Sequence, residues 1–170
     1  MGLEMDADGI ARLTLDETGP PVKPMTLQWK KELAETVGQL ERDKERIRGV
    51  LLASAKSTFF AGAELKSVLQ LKAGDAAECF ARIEALKKSF RRLESLGRPV
   101  VALLNGAALG GGWEVALAAH ARFALDDPKI RFGTPEVTLG LIPGATGIPT
   151  TVRLLGLLAA DMNGDRHARY

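Results

Sequence analysis

The hydrophobic positions of this chain change between the two-residue period of a strand and the longer period of a helix. Residues 10–15 alternate between apolar and polar side chains, and residues 47–53 form a short apolar run. Both patterns predict strands. Between them, in a segment that starts near Thr26, apolar residues recur at helical spacing: Leu33, Val37 and Leu40. A β-rich start followed by strand and helix units predicts an α/β fold.

A second long helix is predicted after residue 75. Asp75 and Glu78 have the spacing of a capping box, in which side chains bind the free backbone N–H groups at a helix start. Beyond them, side chains recur every three or four residues along one stripe: Phe80, Ile83, Lys87, Phe90 and Leu93. Residues 99–104 then form an apolar run with a proline at its entry, which predicts a buried strand.

The most informative segment joins this strand to a short apolar helix. Three adjacent glycines at 110–112 are followed by Trp113 and Glu114, and residues 115–119 are good helix formers. Glycines at such a junction let backbone N–H groups approach a ligand closely, and the N-terminus of a helix favours negative charge. The pattern predicts an oxyanion site with a carboxylate in the first helical turn.

Two other glycine motifs do not fit these spacings. A dinucleotide-binding fingerprint that starts at Gly110 requires glycine or alanine where Val115 stands. A phosphate-binding loop that starts at Gly106 requires lysine where Gly112 stands. Both nucleotide-binding interpretations are therefore excluded for this segment.

A membrane span over residues 100–121 is also disfavoured. The stretch is long and largely apolar, but Asn105, Glu114 and His120 interrupt it and the three glycines would weaken a spanning helix. The sequence predicts no membrane span.

Composition and charge disfavour some classes of binding partner but do not identify one. The 170 residues include 23 basic and 21 acidic side chains, so the formal charge of +2 gives no reason to expect a nucleic-acid partner. The basic cluster at 87–92 lies in the predicted helix and indicates a solvated face, with coenzyme phosphates as the alternative partner. Cys79 is the only cysteine and is expected to be a small core residue, which suits a reducing, cytoplasmic compartment. The two histidines are not expected to form a metal cluster, and the sequence predicts no signal peptide.

Three segments, in the same order along the chain, resemble the signatures of the crotonase (enoyl-CoA hydratase/isomerase) family. They lie at residues 59–66, 105–114 and 133–145. The resemblance runs from about Ile10 to about Gly156 and is strongest toward the hydratase portion of the bifunctional fatty-acid oxidation proteins. One such segment alone would be a weak signal, but three together are specific.

The resemblance implies an α/β fold built as a spiral of strand-strand-helix repeats. It places a crotonase-like core domain at 1–160. Residues 161–170 show no apolar period, and their polar composition predicts a mobile tail. Family members continue through further helices that complete the pocket and support trimers, whereas this chain ends soon after Leu158. The resemblance therefore implies a family domain that lacks the usual C-terminal helical segment, with a homo-oligomer (trimer or hexamer) as the expected assembly.

For the chemistry, the resemblance implies two catalytic carboxyl groups and two backbone donors. The backbone N–H groups of Ala63 and Gly111 would form the oxyanion hole, which stabilises negative charge on the thioester oxygen. Glu114 would act as the base toward water and Glu136 as the proton donor toward carbon. These glutamates are 22 residues apart along the chain, at positions 114 and 136, so only the fold can bring them together. Predicted strands at 122–125 and 130–132, with a turn between them, permit that return.

The resemblance also implies a binding surface for coenzyme A. The loop before the first oxyanion residue would lie along the coenzyme and supplies four residues: Ala61, Gly62, Leu65 and Lys66. Lys66 would meet a phosphate as a mobile point charge, although an ordinary exposed helix lysine fits the pattern equally well. Trp113 lines the acyl pocket or packs in the core. Gly144 resembles a glycine at a helix start near the catalytic end of the pocket and is otherwise a turn glycine.

The implied activity is hydration of trans-2-enoyl-CoA thioesters to 3-hydroxyacyl-CoA, without a metal or redox cofactor and with coenzyme A as part of the substrate. Relatives that only move a double bond commonly keep the later glutamate and lose the earlier one, so keeping both favours a hydratase. Two alternatives stay open. One is isomerase or acyl-CoA thioester hydrolase activity within the family, and the other is a catalytically weak acyl-CoA-binding protein.

Overall fold

The computed structural model describes residues 1–15, 25–60, 62 and 68–156. Over these ranges, five strands form one mixed sheet in the order β1-β2-β3-β4-β6. They are β1 (Gly2–Met5), β2 (Ile10–Thr14), β3 (Gly49–Ala53), β4 (Val100–Leu104) and β6 (Ala121–Ala124). The first pair is antiparallel and the other pairs are parallel. Strands β5 (Ala108–Leu109) and β7 (Phe132–Gly133) form a small parallel pair beside it.

The described ranges give the bounds of four α-helices: α1 (Leu27–Arg42), α2 (Ala76–Glu94), α3 (Gly111–Leu117) and α4 (Gly147–Leu155). The first three lie between strands, and α4 follows β7. Helix α1 begins where the sequence predicts, because the hydroxyl of Thr26 accepts a hydrogen bond from the N–H of Trp29 and so satisfies one free donor of the first turn. Short 3-10 turns lie at Ala73–Asp75 and Pro135–Leu139. The observed order of strands and helices is the α/β fold that the sequence predicts.

The core lies between the sheet and helices α1, α2 and α3. Strand β2 buries Ala11 and Leu13, and helix α1 buries Leu33, Val37 and Leu40, the three positions with helical spacing. Every residue of α3 is buried, which explains why that helix is apolar on all sides apart from one glutamate. Helix α3 is therefore a rigid element in the interior, and its first turn can hold a side chain in a fixed position.

Helix α2 differs from the predicted stripe. Its buried residues all lie in the second half of the helix, at Leu86, Ser89, Phe90 and Leu93, whereas Phe80 is 66% exposed. Cys79, expected in the core, is only half-buried for the same reason. The periodicity correctly indicates a helix, but it cannot show that only the second half packs against the rest of the described chain.

The predicted capping box at the start of α2 is wrong. The carboxylate of Asp75 accepts a hydrogen bond from the N–H of Lys72 at 2.9 Å, so it closes the preceding 3-10 turn. Among the described residues, this side chain makes no capping hydrogen bond to α2. Glu78 pairs instead with Arg82 one turn later.

The basic cluster of α2 is paired with glutamates. The guanidinium of Arg92 binds the carboxylate of Glu41 on α1 through two hydrogen bonds of 2.8 and 2.6 Å, and Lys87 pairs with Glu84 at 2.8 Å. The hydrogen bonds from Arg92 hold the pKa of Glu41 below its ordinary value. These contacts support the predicted solvated face rather than a phosphate site.

Within the described ranges, the helices are too short or too polar to cross a bilayer. The segment 100–121, which was the candidate span, instead contains β4, β5 and α3. The predicted tail at 161–170 lies outside the described residues.

Candidate active site

The glycine turn before α3 is held by backbone contacts on both sides. Gly110 adopts φ 54° and ψ −128°, a conformation that is open to glycine and strained for other residues. Its N–H donates to the carbonyl of Gly133 at 2.8 Å, and its carbonyl accepts the N–H of Glu114 at 3.0 Å. The turn is thus tied both to β7 and to the first turn of α3.

A second segment approaches the same turn. Gly62 has φ 82°, and a Cβ atom there would lie 2.7 Å from the carbonyl oxygen of Leu109 and 3.0 Å from the nitrogen of Gly111. Its carbonyl accepts a hydrogen bond from Met25 at 2.7 Å, which fixes its position. Gly62, predicted from the resemblance to contact coenzyme A, therefore lies against the backbone of Gly111.

Ala63, the other predicted oxyanion donor, lies outside the described residues, next along the chain from Gly62. Ala61, Leu65 and Lys66 also fall outside the described residues, so their predicted contacts with coenzyme A stay predictions. Gly111 itself is the first residue of α3 and is buried. Its N–H belongs to the first turn of a helix, where backbone N–H groups lack intrahelical acceptors and can bind a negative oxygen.

Glu114 is buried, with only 4% of its surface exposed, and lies in the first turn of α3 as the sequence predicts. Its Oε1 atom accepts hydrogen bonds from the N–H groups of Ala145 at 2.9 Å and Gly147 at 2.8 Å. A carboxylate that accepts two backbone N–H groups makes stronger, charge-assisted bonds. Glu114 therefore also fastens the segment before α4 to the interior helix.

Sequence reasoning missed Ala145 and Gly147 as partners of Glu114. The sequence offers no local signal for these contacts, because they join residues 31 and 33 positions apart. A Cβ atom at position 147 would lie 3.1 Å from Oε1 of Glu114, which is tighter than usual packing. The close approach explains why a residue without a side chain stands there.

Glu136 comes to the same place from the other side of the turn. It lies in the 3-10 turn that follows β7, and a Cβ atom on Gly110 would be 2.8 Å from its Oε1. The predicted return of the chain between the two glutamates is present as β6 and β7, with boundaries shifted by one or two residues. The fold thus brings both glutamates to the glycine turn.

The environment of Glu136 favours its protonated form. Burial raises the pKa of the Glu136 carboxyl above its ordinary value; a hydrogen bond from its own backbone N–H acts against this, and repulsion from Glu114 adds to it. Its Oε2 atom is buried and, among the described residues, has no hydrogen-bond partner. An uncharged carboxylic acid is a better state for such a group than a carboxylate with one buried oxygen that lacks a partner.

Trp113 is 3% exposed, and its ring stacks on Phe132 with 5.7 Å between centroids. The structure gives this tryptophan a packing role between α3 and β7, and a role in lining an acyl pocket stays a prediction.

Gly144 is exposed and lies three residues before α4, which begins at Gly147. Gly144 therefore fits the alternative of a turn glycine better than a helix start, and its place at the pocket stays a prediction. A Cβ atom at 144 would meet Ile83 of α2 at 3.9 Å, an ordinary contact. Within the described ranges, acidic, cysteine and histidine side chains do not group in threes as metal ligands would.

The sequence of this chain is similar to one protein family and to several curated proteins. Residues 6–163 match the enoyl-CoA hydratase/isomerase family. The fatty acid oxidation complex subunit alpha of Shewanella oneidensis is 40% identical over 158 residues, and that of Shewanella baltica is 41% identical over 155 residues. Each alignment covers 90% of this chain and 21% of the relative, so the chain spans about one fifth of the length of these curated relatives.

Solved structures agree on the fold. The enoyl-CoA hydratase from Bacillus anthracis superposes with a TM-score of 0.80 at 29% identity and covers 94% of this chain. An enoyl-CoA hydratase from Geobacillus kaustophilus superposes with a TM-score of 0.80 at 27% identity and covers 92% of it. The chain spans 59% and 58% of these two proteins. Because the family match covers nearly the whole sequence and contains the glycine turn and both glutamates, this chain belongs to the enoyl-CoA hydratase/isomerase, or crotonase, family.

Proposed function

We propose that this chain carries the hydration site for trans-2-enoyl-CoA thioesters, with 3-hydroxyacyl-CoA as the product. The observation that carries the proposal is the meeting of two glutamates at one glycine turn, each in a different environment. Hydration needs a base toward water and an acid toward carbon, and two carboxyl groups with different environments can divide these tasks.

In this proposal Glu114 is the base. Its Oε1 is held by two backbone N–H groups, which fix the carboxylate in place on a buried helix. Oε2 is then the oxygen that orients a water molecule and takes its proton as the water oxygen bonds to C3 of the substrate.

Glu136 is the proposed acid. Its raised pKa and its buried Oε2 suit a group that holds a proton until the substrate needs it. As water adds to C3, the π electrons move toward the thioester oxygen, and the proton of Glu136 ends on C2. The reaction adds the elements of water without net oxidation or reduction, so its balance requires no redox cofactor.

The charge that develops on the thioester oxygen would be stabilised by the N–H of Gly111, together with that of Ala63 as the resemblance implies. Preorganised donors of this kind are each worth about 100- to 1000-fold in rate. Gly62 lies against the nitrogen of Gly111 and places no side chain there.

The direct test is the loss of the enoyl thioester absorbance when the purified protein is mixed with crotonyl-CoA, with a series of longer enoyl-CoA substrates in parallel. We expect hydration that Glu114→Gln and Glu136→Gln each reduce by about 100- to 10,000-fold, the usual contribution of a positioned acid or base. Glu35→Ala is the control, because this glutamate is exposed on α1.

Product analysis separates the alternatives. Formation of 3-hydroxyacyl-CoA supports hydration, whereas a shifted double bond or free coenzyme A would identify isomerase or thioester hydrolase activity instead. Tight binding of a non-reactive acyl-CoA by calorimetry, without turnover of any substrate by the folded protein, would replace the hydratase with an acyl-CoA-binding protein.

A further inference from the structure

One residue of the glycine turn contacts the backbone segments that carry the two glutamates. The backbone of Gly110 donates to Gly133 at 2.8 Å, at the end of the strand that leads into Glu136, and accepts from Glu114 at 3.0 Å. Its Cα faces the carboxyl group of Glu136: a Cβ atom there would lie 2.8 Å from Oε1, 3.5 Å from Cδ and 3.9 Å from Oε2. The separation of 2.8 Å is shorter than the contact distance of carbon and oxygen atoms, so the carboxyl group occupies the space that any side chain would take.

We infer that Gly110 is a positioning residue for the proposed acid, because its bare Cα forms the seat on which the carboxyl group of Glu136 rests. The inference rests on the proposed function for its kinetic consequence, but the seat itself is a geometric property of the fold. Gly110 touches no reacting atom in this proposal and acts through Glu136.

The seat has two physical effects on Glu136. It brings the carboxyl against the turn that precedes the oxyanion donor Gly111, so that acid and donor share one rigid support. It also keeps the carboxyl out of water, and burial is the main cause that favours its protonated form. Glu114, on the first turn of α3, is the charged group among the described residues that faces it and acts in the same direction.

The backbone conformation of Gly110 makes a second demand for glycine, and the experiment must separate the two. At φ 54° any L-residue is strained, whatever space surrounds it. Gly97 supplies the matched control: its φ is 77°, and no atom lies within 4 Å of a Cβ placed there. Gly97→Ala thus places a methyl group on a residue with positive φ but without a steric contact, at a turn between α2 and β4.

The test compares Gly110→Ala with Gly97→Ala in steady-state kinetics across a pH series. We expect Gly110→Ala to lower kcat by about 100-fold with KM little changed, the usual cost of misplacing a catalytic group by about 1 Å. We also expect the pH above which activity falls to move downward, because a displaced carboxyl is better solvated and its pKa returns toward the ordinary value. Gly97→Ala should keep the kcat and pH profile of the parent.

A rescue variant distinguishes seating from strain. Glu136→Asp shortens the acid by one methylene, which makes room for the methyl group that Gly110→Ala introduces when the two changes are combined. If the seat is the cause, the loss of kcat in the double variant will be smaller than the product of the two single losses, since groups in contact are not additive. Losses that multiply, or an unchanged pH profile in Gly110→Ala, would overturn the inference.

A measurement that does not depend on turnover tests the inference about Gly110 separately from the proposed function. The carboxyl carbon of Glu136 can be titrated by ¹³C NMR in protein labelled at glutamate, with its signal assigned from the Glu136→Gln spectrum. A downward shift of this pKa in Gly110→Ala supports the seat even if the parent protein hydrates nothing, in which case only the proposed function fails. Should Gly110→Ala not fold, the same titration of Glu136→Asp, labelled at aspartate, replaces it. In that variant the pKa should be raised by less than it is for Glu136. If the pKa is raised above the ordinary aspartate value by as much as the pKa of Glu136 is raised above the ordinary glutamate value, the inference is overturned.

Discussion

The two hydrogen bonds on Glu114 give this residue a structural task that can be separated from its proposed chemistry. Glu114→Ala removes the acceptor of the N–H groups of Ala145 and Gly147, both of which are buried. Leaving a buried donor unsatisfied costs about 1–3 kcal/mol, so the two together cost about 2–6 kcal/mol before any loss of packing is counted. Whole domains are stable by about 5–15 kcal/mol, so this single change removes a large share.

Glu114→Gln keeps a carbonyl oxygen that both donors can reach. Hydrogen bonds to charged groups contribute about 1.5–3 kcal/mol and neutral ones about 0.5–1.5 kcal/mol, so the two weaker bonds cost about 2–3 kcal/mol. Part of that cost is offset, because a neutral amide is less expensive to bury than a carboxylate. We therefore expect Glu114→Gln to be clearly more stable than Glu114→Ala, although both lose the base.

Urea denaturation followed by circular dichroism measures the difference, and enoyl-CoA turnover measures the base. Glu35→Ala, on the exposed side of α1, should change the free energy of unfolding by less than about 0.5 kcal/mol. Equal stability of Glu114→Ala and Glu114→Gln would refute the reasoning, because it would mean that the two backbone donors find other partners when the carboxylate is removed.

Three further outcomes are expected. Because the pKa of Glu136 is raised in the folded protein, the unfolded chain releases this proton at lower pH. The free energy of unfolding should therefore fall as pH rises from the ordinary glutamate pKa through the raised one. This pH dependence should be absent in Glu136→Gln. Equilibrium unfolding at a series of pH values checks this, and an unchanged slope in the variant would contradict it. Phe132→Leu should lower the free energy of unfolding by about 0.5–1.5 kcal/mol beyond the loss of buried area, since it removes the ring stacked on Trp113; near-ultraviolet circular dichroism should report the altered environment of that tryptophan, and an unchanged spectrum would argue against the stack. Arg92→Met should cost at most about 1 kcal/mol at neutral pH, because the pair with Glu41 is partly exposed. The contribution of this pair should vanish as pH falls through the lowered pKa of Glu41, so a cost that persists in acid would point to packing instead.

Local signals in the sequence were sufficient for the elements that build the site. Thr26 starts α1 because a hydroxyl followed by an apolar helical period is a self-contained signal. Glu114 lies in the first turn of α3 because Gly110, just before that helix, adopts a conformation that is not helical. Prediction failed where a residue had a clear local pattern but its contacts depended on the rest of the fold. Asp75 had the spacing of a cap and yet closes the preceding turn, and Phe80 followed the apolar stripe and yet faces solvent.

The sequence by itself indicated most of the strands and helices, although not β1, β5 or α4. It also indicated the glycine turn and, through a resemblance over three motifs, the two glutamates. These features depend on residues that are close along the chain, or on motifs that can be compared with those of a known family. Only the tertiary structure decided that Ala145 and Gly147 hold Glu114, and that Glu136 rests on Gly110. Those contacts join residues 26 or more positions apart, and the pairing of β5 with β7 accounts for the one between Gly110 and Glu136. Chain spacing carries no information on them, because the same spacing fits many ways of returning the chain.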